Sequence, residues 1–422
     1  MKLQKIVNRL QKLHPKEIDL SLDRIKTLCK KLGNPQDDIK CIQVCGTNGK
    51  GSTISFLRSI LKEANIKCNI YTSPHVKHIN ERFVYNDKII SDDALSDLLQ
   101  KIEEINDGEP LTYFEALTAA FFYGCRKYND NLVIAEFGLF GRGDAVNILK
   151  KNLCNIVTSC SEDHLDWLPE NERTIERIIF EKTSSLLNSN IVVAKQSSEQ
   201  ITQCIKKNIS NNNANKYFFN ENYNFALKEN DFFYYEDQYG ALKIPRPKMN
   251  GQFQLENAST AIATLRILKD LKIKDQHIIE GIKKANNSAR LEEIKYGKLK
   301  NLVKNNTLIL DSSHNPGGSK ALNDYLQTLN CSKHVIIGMM ANKDHEKYIS
   351  YFKDISSITT IDIPNQPNAI SGKSLKEKFK HFPNVQYKES IQDAIQSVPL
   401  KENDLLIITG SLYLSGEFLR SN

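Results

Sequence analysis

The sequence lacks the long apolar runs that membrane spans need. No stretch approaches the roughly 18–20 apolar residues of a helix that crosses a bilayer. Residues 1–15 place apolar side chains at helical spacing among Lys and Gln, which predicts an amphipathic helix and not a secretory signal. We therefore expect no membrane partner and no export. The apolar positions of this helix are Leu3, Ile6, Val7, Leu10 and Leu13.

A strong excess of one charge is also missing. Lys and Arg number 57 against 50 Asp and Glu, so the net charge is only +7 over 422 residues, and no basic stripe or arm stands out. A protein dedicated to nucleic acids carries a denser basic surface, so we expect no nucleic-acid partner. The mild positive charge favours small anionic substrates.

Paired cysteine motifs are absent as well. The nine cysteines are odd in number and scattered, and they form no C-x-x-C pair. This pattern argues against a disulfide framework or a zinc site and predicts reduced thiols that pack as small apolar side chains. Reduced thiols are typical of the cytoplasm, and we expect the protein there.

What the chain does contain is an alternation of short β-branched runs with helix-period segments. This alternation predicts an α/β fold with a parallel sheet covered by helices. A length of 422 residues exceeds one ordinary domain of about 100–200 residues, so we expect two domains. The predicted strands are Ile42–Cys45, Leu132–Glu136, Asn155–Ser159, Ile191–Ala194, Leu308–Asp311, His334–Gly338, Ser357–Ile361 and Leu405–Thr409.

Residues 208–250 differ from this alternation. An Asn-rich loop precedes the aromatic run Phe232–Tyr235, which predicts a β-hairpin on the side of the first domain. The polar stretch that starts at Asn286 and ends at Lys300 is the candidate interdomain linker. The clearest helices are predicted at Ser52–Ala64, Phe114–Cys125 and Leu255–Leu271.

A glycine-rich loop between the first predicted strand and its helix carries the strongest chemical signal. Glycines let backbone N–H groups turn inward, the helix N-terminus adds partial positive charge, and Lys50 adds a full charge. Ser52 offers a hydroxyl to a phosphate-bound Mg²⁺. The spacing is not G-x-x-x-x-G-K-[ST], because Val44 stands where the first glycine belongs and Gly51 precedes Ser52. The predicted nucleotide loop is Gly46, Thr47, Asn48, Gly49, Lys50, Gly51 and Ser52.

The string G-T-N-G-K-G-S resembles that of ATP-dependent amide ligases related to the muramyl-peptide ligases. Among these, the chain is similar to the folylpolyglutamate synthase/dihydrofolate synthase family of the Mur ligase superfamily. Thr72–His75 and Asn80–Arg82 resemble that family's segment after the second strand, and Tyr113–Glu115 resembles its next helix. The likeness extends over nearly the whole chain.

This resemblance implies a domain organisation. Residues 1–288 would form a large P-loop ATPase domain with a mostly parallel sheet, a small β subdomain and pterin- or folate-binding loops. A linker at 289–300 would lead to a smaller Rossmann-like α/β ligase domain at 301–422, which binds glutamate. The resemblance also implies ATP and two Mg²⁺ ions as cofactors, and a monomeric protein.

Metal ligands are predicted partly from the residues and partly from the resemblance. A carboxylate at a strand end beside a phosphate loop suits Mg²⁺, and Glu136 holds that place, so Ser52 and Glu136 are expected to hold the first ion. The resemblance implies that His164, which follows Asp163, ligates a second ion. It also implies that Lys182 becomes a carbamate, which requires the neutral amine and yields an anionic ligand.

The segment Glu136–Asn147 resembles E-x-G-L-G-G-R-L-D-A-T-N, whose D-A-x-N end lies against the pterin in that family. Phe140 replaces a glycine of the pattern and Gly143 replaces a leucine, which leaves the shape of the acceptor pocket open. The residues implied in acceptor binding are Arg82, Asp144, Ala145 and Asn147.

Two motifs around the expected domain boundary imply contacts with ATP. The string G-Q-F-Q-L-E-N-A resembles a motif that closes on adenine, to which Asn257 can present both a donor and an acceptor. Phe253 stands where the motif has a histidine. Arg290 takes the place of a family arginine and is expected to reach the ATP phosphates.

In the second domain, Asp311 and His314 follow an apolar strand in a string similar to D-G-A-H-N-P. Strand ends of this kind face the ligand crevice of open α/β sheets. The resemblance places Asp311 on the ATP side and His314 on the glutamate side, and Ser411 is a second glutamate candidate. The residues expected to be catalytic are Lys50, Lys182 and His314.

The resemblance also implies the reaction. ATP phosphorylates a substrate carboxylate to an acyl phosphate, and the amine of L-glutamate displaces the phosphate, with dihydropteroate, a reduced folate or both as acceptors. A muramyl-peptide ligase is one alternative, although it carries a UDP-sugar-binding domain before the loop, where this chain has 45 residues before Gly46. A non-ligase ATP-binding switch is the other, and it leaves the second-domain motifs without a role.

Overall fold

The computed structural model describes residues 2–15, 19–229 and 231–422, which fall into two compact units. The first unit contains the described residues up to Cys160, then Thr174–Arg246 and Glu256–Ala285. The second unit contains Ser161–Arg173, Pro247–Leu255 and Asn286–Asn422. The functional division at 288 and 301 stays a prediction, because these units are defined by packing alone.

Strands and helices alternate along the first part of the chain, as the sequence pattern predicts. The strands are β1 (Lys40–Cys45), β2 (Cys68–Tyr71), β3 (Phe83–Tyr85), β4 (Lys88–Ile89), β5 (Leu132–Glu136), β6 (Lys151–Val157), β7 (Asn190–Val193), β8 (Lys216–Phe218), β9 (Tyr223–Glu229), β10 (Phe232–Asp237) and β11 (Gly240–Pro245). The helices are α1 (Lys2–Leu10), α2 (Asp23–Lys31), α3 (Lys50–Glu63), α4 (Asp92–Asn106), α5 (Tyr113–Cys125), α6 (Ile175–Thr183), α7 (Glu199–Asn208), α8 (Phe253–Ile267) and α9 (Asp275–Lys284).

The main sheet of the first unit has the strand order β4-β3-β2-β5-β1-β6-β7-β8. The six neighbouring strands β2-β5-β1-β6-β7-β8 all pair in parallel. The two remaining pairs, β2 with β3 and β3 with β4, are antiparallel. Every residue of β5 is buried, because helices cover both faces of a parallel sheet. The predicted α/β fold with a mostly parallel sheet is confirmed. The central strands β1, β5 and β6 all end at the same edge, where the glycine-rich loop begins.

A small antiparallel sheet of order β11-β10-β9 accompanies the main sheet. Buried and exposed side chains alternate along its strands, as in a sheet with one buried face. Phe233 and Tyr235 are fully buried, whereas Lys243 is exposed. The sequence predicts a hairpin here, and the structure adds β9 as a third strand.

The strands of the second unit are β12 (Glu292–Glu293), β13 (Thr307–Leu310), β14 (Lys333–Ile337), β15 (Ser357–Ile361), β16 (Val385–Lys388) and β17 (Leu405–Thr409). Its helices are α10 (Lys298–Leu302), α11 (Pro316–Leu326), α12 (His345–Ile349), α13 (Gly372–Lys378), α14 (Ile391–Ser397) and α15 (Leu412–Ser421). The strands form a six-stranded sheet of order β12-β13-β17-β14-β15-β16. All its pairs are parallel except β12 with β13. Part of the stretch expected as a linker forms β12 and the start of α10.

The cysteines and the helix lengths bear on the expectations about compartment and membrane. All nine cysteines are free thiols and seven are buried. Burial raises the pKa of the Cys45 thiol, beside the glycine-rich loop, to about 12, so it stays protonated and unreactive near neutral pH. In the part of the chain that the structure describes, no helix is long and apolar enough to cross a membrane.

Candidate active site

The loop between β1 and α3 is built on two glycines with positive φ. Gly46 has φ +132° and Gly49 has φ +92°, conformations that side-chain-bearing residues rarely adopt. A Cβ atom at Gly46 would lie 2.0 Å from Oγ1 of Thr158, and one at Gly49 would lie 2.4 Å from Oδ1 of Asn257. The loop therefore requires glycine at both positions for backbone and for packing. The second contact also places Asn257, the predicted adenine residue, against this loop.

Lys50 is the first residue of α3 and curls back over the loop. Its Nζ lies 3.2 Å from the carbonyl oxygens of both Gly46 and Thr47, and 3.8 Å from Oε1 of Glu136. The backbone N–H groups of Thr47 and Asn48 donate to the carbonyl of Ser159, at 2.8 and 3.1 Å. The loop is thus tied to the end of β6 and carries a full positive charge at the N-terminus of a helix, which suits a polyphosphate.

Glu136 and Ser52 are the predicted oxygen donors for the first metal ion. Glu136 is buried at the end of β5, where its Oε2 accepts a hydrogen bond from the N–H of Ser73 at 3.2 Å, and Ser52 is buried in the first turn of α3. Hard oxygen donors of this kind fit Mg²⁺, which takes one or two protein groups and fills its shell with phosphate oxygens and water. Among the described residues no three His, Cys, Asp or Glu side chains cluster as a metal site. An ion held by Ser52 and Glu136 would therefore take its other ligands from nucleotide and water.

Lys182 is a second buried cation at the same loop. Its side chain comes from the last turn of α6, and its Nζ donates to the carbonyl of Gly46 at 3.0 Å. The ring centroid of Phe140 lies 5.7 Å from the same nitrogen, within reach of a cation–π contact. Phe140 has φ +58° and is almost fully buried. Two of the residues predicted to be catalytic, Lys50 and Lys182, are thus brought to one carbonyl oxygen; carbamylation of Lys182 stays a prediction.

Asp144 organises the loop that follows β5. Its Oδ2 accepts hydrogen bonds from the N–H groups of Gly138 and Leu139, at 2.9 and 2.8 Å, and its Oδ1 accepts one from Val146 at 2.9 Å. Burial raises the pKa of Asp144 to about 7, although these three hydrogen bonds and the nearby charge of Lys182 act in the opposite direction. The predicted substrate residue therefore also has a structural task, which is to fold the loop around its own carboxyl group.

An ion-pair clamp holds the same loop against α6. The guanidinium of Arg142 donates to both carboxylate oxygens of Glu181 at 3.0 Å each, and Arg177 adds a contact of 2.7 Å. Glu181 raises the pKa of Arg142 through the hydrogen bond and its charge. A Cβ at Gly141 would lie 2.8 Å from the carbonyl of Lys182. The loop therefore packs directly on the turn that presents Lys182.

The remaining acceptor candidates occupy the same unit. Nε of the buried Arg82 lies 3.0 Å from Nδ1 of His75. Ala145 is buried, and Nδ2 of Asn147 donates to Oγ of Ser185 at 2.8 Å. Oδ1 of Asn147 is buried and has no hydrogen-bond partner among the described residues. A buried acceptor without a partner is uncommon in proteins, and it suits a ligand that supplies an N–H group.

In the second unit, Asp163 gathers several predicted residues. Its carboxylate accepts hydrogen bonds from Nζ of Lys343 at 2.6 Å and from Nδ2 of Asn315 at 3.0 Å. Nε2 of His314 lies 3.4 Å and Nε2 of His164 lies 3.7 Å from its Oδ2. Burial opposes the charge of Asp163, but His164, His314 and Lys343 outweigh it and hold the pKa of the carboxyl well below its usual range. This places the predicted metal ligand His164 beside the predicted glutamate residue His314.

Asp163 and Lys343 are central here, although the sequence predicts no role of their own for them. Each stands in a short motif, Asp163 beside His164 and Lys343 in G-M-M-A-N-K-D after β14. The usable signal is the presence of an acidic and a basic residue at strand ends, where ligand sites of α/β sheets lie. Their direct contact spans 180 residues of sequence, which no local pattern reveals.

Asp311 anchors the turn that carries Arg290. Its Oδ2 accepts a hydrogen bond from the N–H of Leu291 at 3.1 Å, and its Oδ1 accepts one from Ser313 at 2.8 Å. Arg290 donates to the carbonyl of Ala289 at 3.1 Å. Ala289 and Leu291 both have positive φ, +54° and +50°, so Arg290 is presented by a strained turn that Asp311 holds in place.

His314 and Ser411 have local partners as well. Nδ1 of His314 lies 2.9 Å from the carbonyl of Ser312, so both ring nitrogens of His314 face oxygen atoms. Ser411 is buried at the N-cap of α15, where its Oγ accepts a hydrogen bond from the N–H of Tyr413 at 3.1 Å. The role of Ser411 in glutamate binding stays a prediction.

Comparison with known proteins identifies the family. The description "Mur ligase middle domain" matches residues 44–265, and "Mur ligase, glutamate ligase domain" matches residues 298–412. The chain belongs to the Mur ligase family. A dihydrofolate synthase/folylpolyglutamate synthase of Haemophilus influenzae is 30% identical over 97% of this chain and 95% of its own length. The protein of the same name from Escherichia coli is 27% identical over 96% of this chain and 92% of its own length.

Similar solved structures agree with this assignment. Escherichia coli FolC in complex with DHPP and ADP superposes with a TM-score of 0.88 at 26% identity and covers 99% of this chain and 97% of that one. The bifunctional folylpolyglutamate synthase/dihydrofolate synthase of Yersinia pestis, complexed with AMPPNP and a Mn ion, has a TM-score of 0.86 at 25% identity, with coverage of 99% and 97%. The predicted resemblance to the folylpolyglutamate synthase/dihydrofolate synthase family is confirmed. The chain is an ATP-dependent amide ligase of that family.

Proposed function

We propose that this Mur ligase joins L-glutamate to a pterin-containing acid, with dihydropteroate, reduced folates or both as acceptors. The observation that supports it best is the convergence of Lys50 and Lys182 on the carbonyl of Gly46, at the N-terminus of α3. Two cations and a helix N-terminus on one loop suit a triphosphate. The relatives that cover this chain almost end to end are named for folate chemistry, which favours this reading over the muramyl-peptide alternative.

The proposed reaction has two steps. The acceptor carboxylate attacks the γ-phosphorus of ATP, which forms an acyl phosphate and releases ADP. The neutral amine of glutamate then attacks the acyl carbon, forms the amide and releases phosphate. Lys50, together with Lys182 in its protonated form, would lessen the repulsion between the triphosphate and the carboxylate, a requirement of every phosphoryl transfer to an anion. A bound Mg²⁺ supplies Lewis-acid polarisation and charge neutralisation at the phosphates.

The acceptor would bind beside the loop that Asp144 organises. Asn147 offers a buried carbonyl oxygen that has no partner within the described chain, and pterins carry N–H donors that suit it. Arg82 supplies a buried positive charge in the same unit, which suits an acidic acceptor. We assign acceptor binding to the same four residues that the sequence indicated, including Asp144 and Ala145.

The second unit would bind glutamate and part of the nucleotide. His314 and Lys343 present positive or hydrogen-bonding groups around Asp163, a polar arrangement that suits an amino acid. We assign Ser411 to glutamate, and Arg290 and Asp311 to ATP. We assign His164 to a second Mg²⁺. Lys182 is proposed as a metal ligand once it is carbamylated, a form in which an anionic group replaces its protonated amine. A monomeric, cytoplasmic protein that acts on small molecules completes the proposal.

The test is a product assay with the full chain. Purified protein receives ATP, Mg²⁺ and L-glutamate with dihydropteroate or with tetrahydrofolate, and products are read by mass spectrometry with ADP release in parallel. One added glutamyl unit with dihydropteroate indicates dihydrofolate synthase activity, and extension of tetrahydrofolate indicates folylpolyglutamate synthase activity. ATP binding without ADP release or product in either reaction would favour the non-ligase switch and defeat the proposal.

A further inference from the structure

In the second unit, the segment Ser161–Arg173 is held by side chains from the turn after β14 and from α12. All residues of the segment are described, and they form two short 3-10 turns but no α-helix or strand. Three polar contacts hold it, which join Asn342 to Asp166 at 3.1 Å, Lys343 to Asp163 at 2.6 Å and Lys347 to Glu162. The place of the segment therefore depends on these side chains.

The turn that supplies the three side chains is itself well fixed. Oδ1 of Asp344 accepts a hydrogen bond from the N–H of Lys347 at 2.9 Å and so caps α12. Nε2 of His345 lies 2.9 Å from the carbonyl oxygen of Met340. The hydrogen bond to Glu162 and the charge of that carboxylate raise the pKa of the Lys347 amine, which stays protonated near neutral pH. A fixed turn thus presents a full positive charge to the segment.

The next residue of α12 holds the opposite side of the Asp163 cluster. The hydroxyl of Tyr348, a fully buried residue, lies 3.0 Å from Oγ of Ser313 and donates to the Ser313 carbonyl at 3.2 Å. Ser313 immediately precedes His314, whose Nε2 lies 3.4 Å from Oδ2 of Asp163. Helix α12 therefore contacts both parts of the cluster: Lys347 holds the segment that carries Asp163, and Tyr348 holds the turn that carries His314.

From these contacts we infer that Asn342 and Lys347 are positioning residues for glutamate, because they fix Asp163 against His314. The inference rests on the proposed function and deepens it. Asp163 pairs with Lys343 and faces His314, so a displacement of the segment disturbs both groups at once. Small displacements of the groups that hold a reactant weaken its productive binding strongly.

Charge reversal of the pair between Lys347 and Glu162 is the main test. Lys347→Glu sets two carboxylates against each other and should raise the glutamate KM about fivefold, with the KM of ATP and of the acceptor within about twofold of wild type. Glu162→Lys should act in the same direction. The exchanged pair, Lys347→Glu with Glu162→Lys, should return the glutamate KM to within about twofold of wild type. Loss of a surface charge alone would give no such rescue.

The matched control is Lys378→Glu, which makes the same change of charge in the same unit. Nζ of Lys378 lies 3.8 Å from Oε1 of Glu346 on α12. This variant should keep all three KM values near wild type. Because the Lys347 side chain is 45% exposed, its ion pair adds little to global stability, and urea midpoints should stay close to wild type in every variant.

Asn342→Ala covers the case in which Lys347→Glu does not fold. It removes the contact with Asp166 without a change of charge and should raise the glutamate KM about threefold, again without an effect on the ATP KM. Hydrogen exchange of residues 161–168 is measured in the same proteins without substrate. Exchange should be faster in Lys347→Glu and Asn342→Ala than in wild type and Lys378→Glu, and it should return towards wild type in the exchanged pair.

The outcomes separate this inference from the proposed function. An unchanged glutamate KM in folded Lys347→Glu and Asn342→Ala would overturn the inference while the ligase proposal stands. An equal rise in the KM of ATP, acceptor and glutamate would overturn it too, as would an exchanged pair that fails to restore the glutamate KM. A rise only in the Mg²⁺ concentration that gives half the maximal rate would also overturn it, because the segment would then act on the ion assigned to His164. A wild-type protein that ligates neither acceptor refutes the proposed function before any substitution is made.

Discussion

At the scale of single residues, burial of the Phe140 side chain outweighs the cost of an unfavourable backbone conformation. Its φ of +58° is a left-handed conformation that costs a residue with a side chain about 1 kcal/mol or more. Its ring is almost fully buried beside Lys182, and burial of a phenylalanine contributes about 3–5 kcal/mol relative to alanine. Burial of the ring therefore stabilises the fold by more than the backbone strain costs, which explains an aromatic residue where the family pattern has glycine.

This balance predicts that glycine is a more stable replacement for Phe140 than alanine, the reverse of the usual order. Both Phe140→Ala and Phe140→Gly lose the ring, but only glycine relieves the backbone, so Phe140→Gly should unfold with a free energy about 1 kcal/mol higher than Phe140→Ala. Urea unfolding measures the difference. The control is Phe121, which is fully buried inside α5, where alanine should be the more stable of the two replacements. The same order at both sites would contradict the argument.

Asp144 predicts a pH-dependent stability. Its pKa rises from 3.8 to about 7 because the carboxyl is buried. A folded-state pKa above the unfolded value means that the stabilisation is complete below pH 4 and is lost as pH rises through 7. Asp144→Asn removes this titration. Any other effect of the substitution on the free energy of unfolding should not vary with pH.

The measurement is urea unfolding of wild type and Asp144→Asn from pH 4 to pH 8. Relative to the variant, wild type should lose up to about 4 kcal/mol of unfolding free energy over this range, as a shift of about three pKa units implies. A difference that stays constant with pH would show that Asp144 titrates at an ordinary value.

At the scale of elements, the phosphate loop explains where α3 begins. The sequence predicts a helix from Ser52, whereas the structure starts it at Lys50 with Gly49 as N-cap. The left-handed φ of Gly49 turns the chain into the helix early, so Lys50 occupies the first helical position and Ser52 the third. Periodicity of apolar residues marks the buried face of a helix and leaves its ends open, because the end depends on backbone geometry.

A buried polar network joins three strands at the other end of the second sheet. His334, at the start of β14, lies with Nδ1 2.7 Å from Oγ of Ser357 on β15 and with Nε2 3.1 Å from Oδ2 of Asp404, just before β17. The N–H of Lys401 also donates to Asp404, at 2.7 Å. Burial opposes the charge of Asp404, but the Lys401 hydrogen bond and His334 outweigh it and lower the pKa of this carboxyl.

This network predicts acid sensitivity of the second unit. A carboxyl whose pKa is lowered on folding stabilises above its unfolded pKa, and that contribution is lost as pH falls through the folded pKa. Asp404→Asn should therefore lower the unfolding free energy by about 2 kcal/mol at pH 7, with the deficit shrinking below pH 4. Chemical unfolding at several pH values tests this. Asp324→Asn, on an exposed part of α11, is the control and should have little effect at any pH.

At the scale of the whole molecule, nucleotide binding should raise the stability of the folded protein. A ligand present at 100 times its Kd stabilises the folded protein by about 2.7 kcal/mol. Wild type should therefore show a higher Tm with MgATP than without it, and Lys50→Ala should lose most of this rise because the cation over the loop is gone. The same variant should ligate neither acceptor while its unliganded Tm stays near wild type.

The control for Lys50→Ala is Lys101→Ala, which removes an exposed lysine of α4 that pairs only loosely with Glu104. It should keep both the MgATP shift and the ligase activity. Wild-type turnover in Lys50→Ala would refute the assignment of the loop to nucleotide, whatever its effect on Tm.

The layered α/β fold can be predicted because its cause is local. Strands such as β5 and β17 are buried on both faces, so their sequences read as continuous apolar runs and match the predicted bounds. Strand β2 is not predicted because it has only four residues, C-N-I-Y, and its polar Asn interrupts the apolar run. Strand β12 lies in the stretch predicted as linker, since its residues are Glu292 and Glu293, which pair at a sheet edge.

By itself the sequence determined the alternation of strands and helices, the glycine loop and the family. These depend on short-range patterns: side-chain periodicity, glycines that permit positive φ, and motif strings at strand ends. Only the tertiary structure decided which distant polar groups meet. Lys182 reaches Gly46 across 136 residues, Asn315 reaches Asp163 across 152, and Arg24 reaches Glu115 across 91. Such pairs form because folding brings distant segments together, and a buried charge there needs a polar partner.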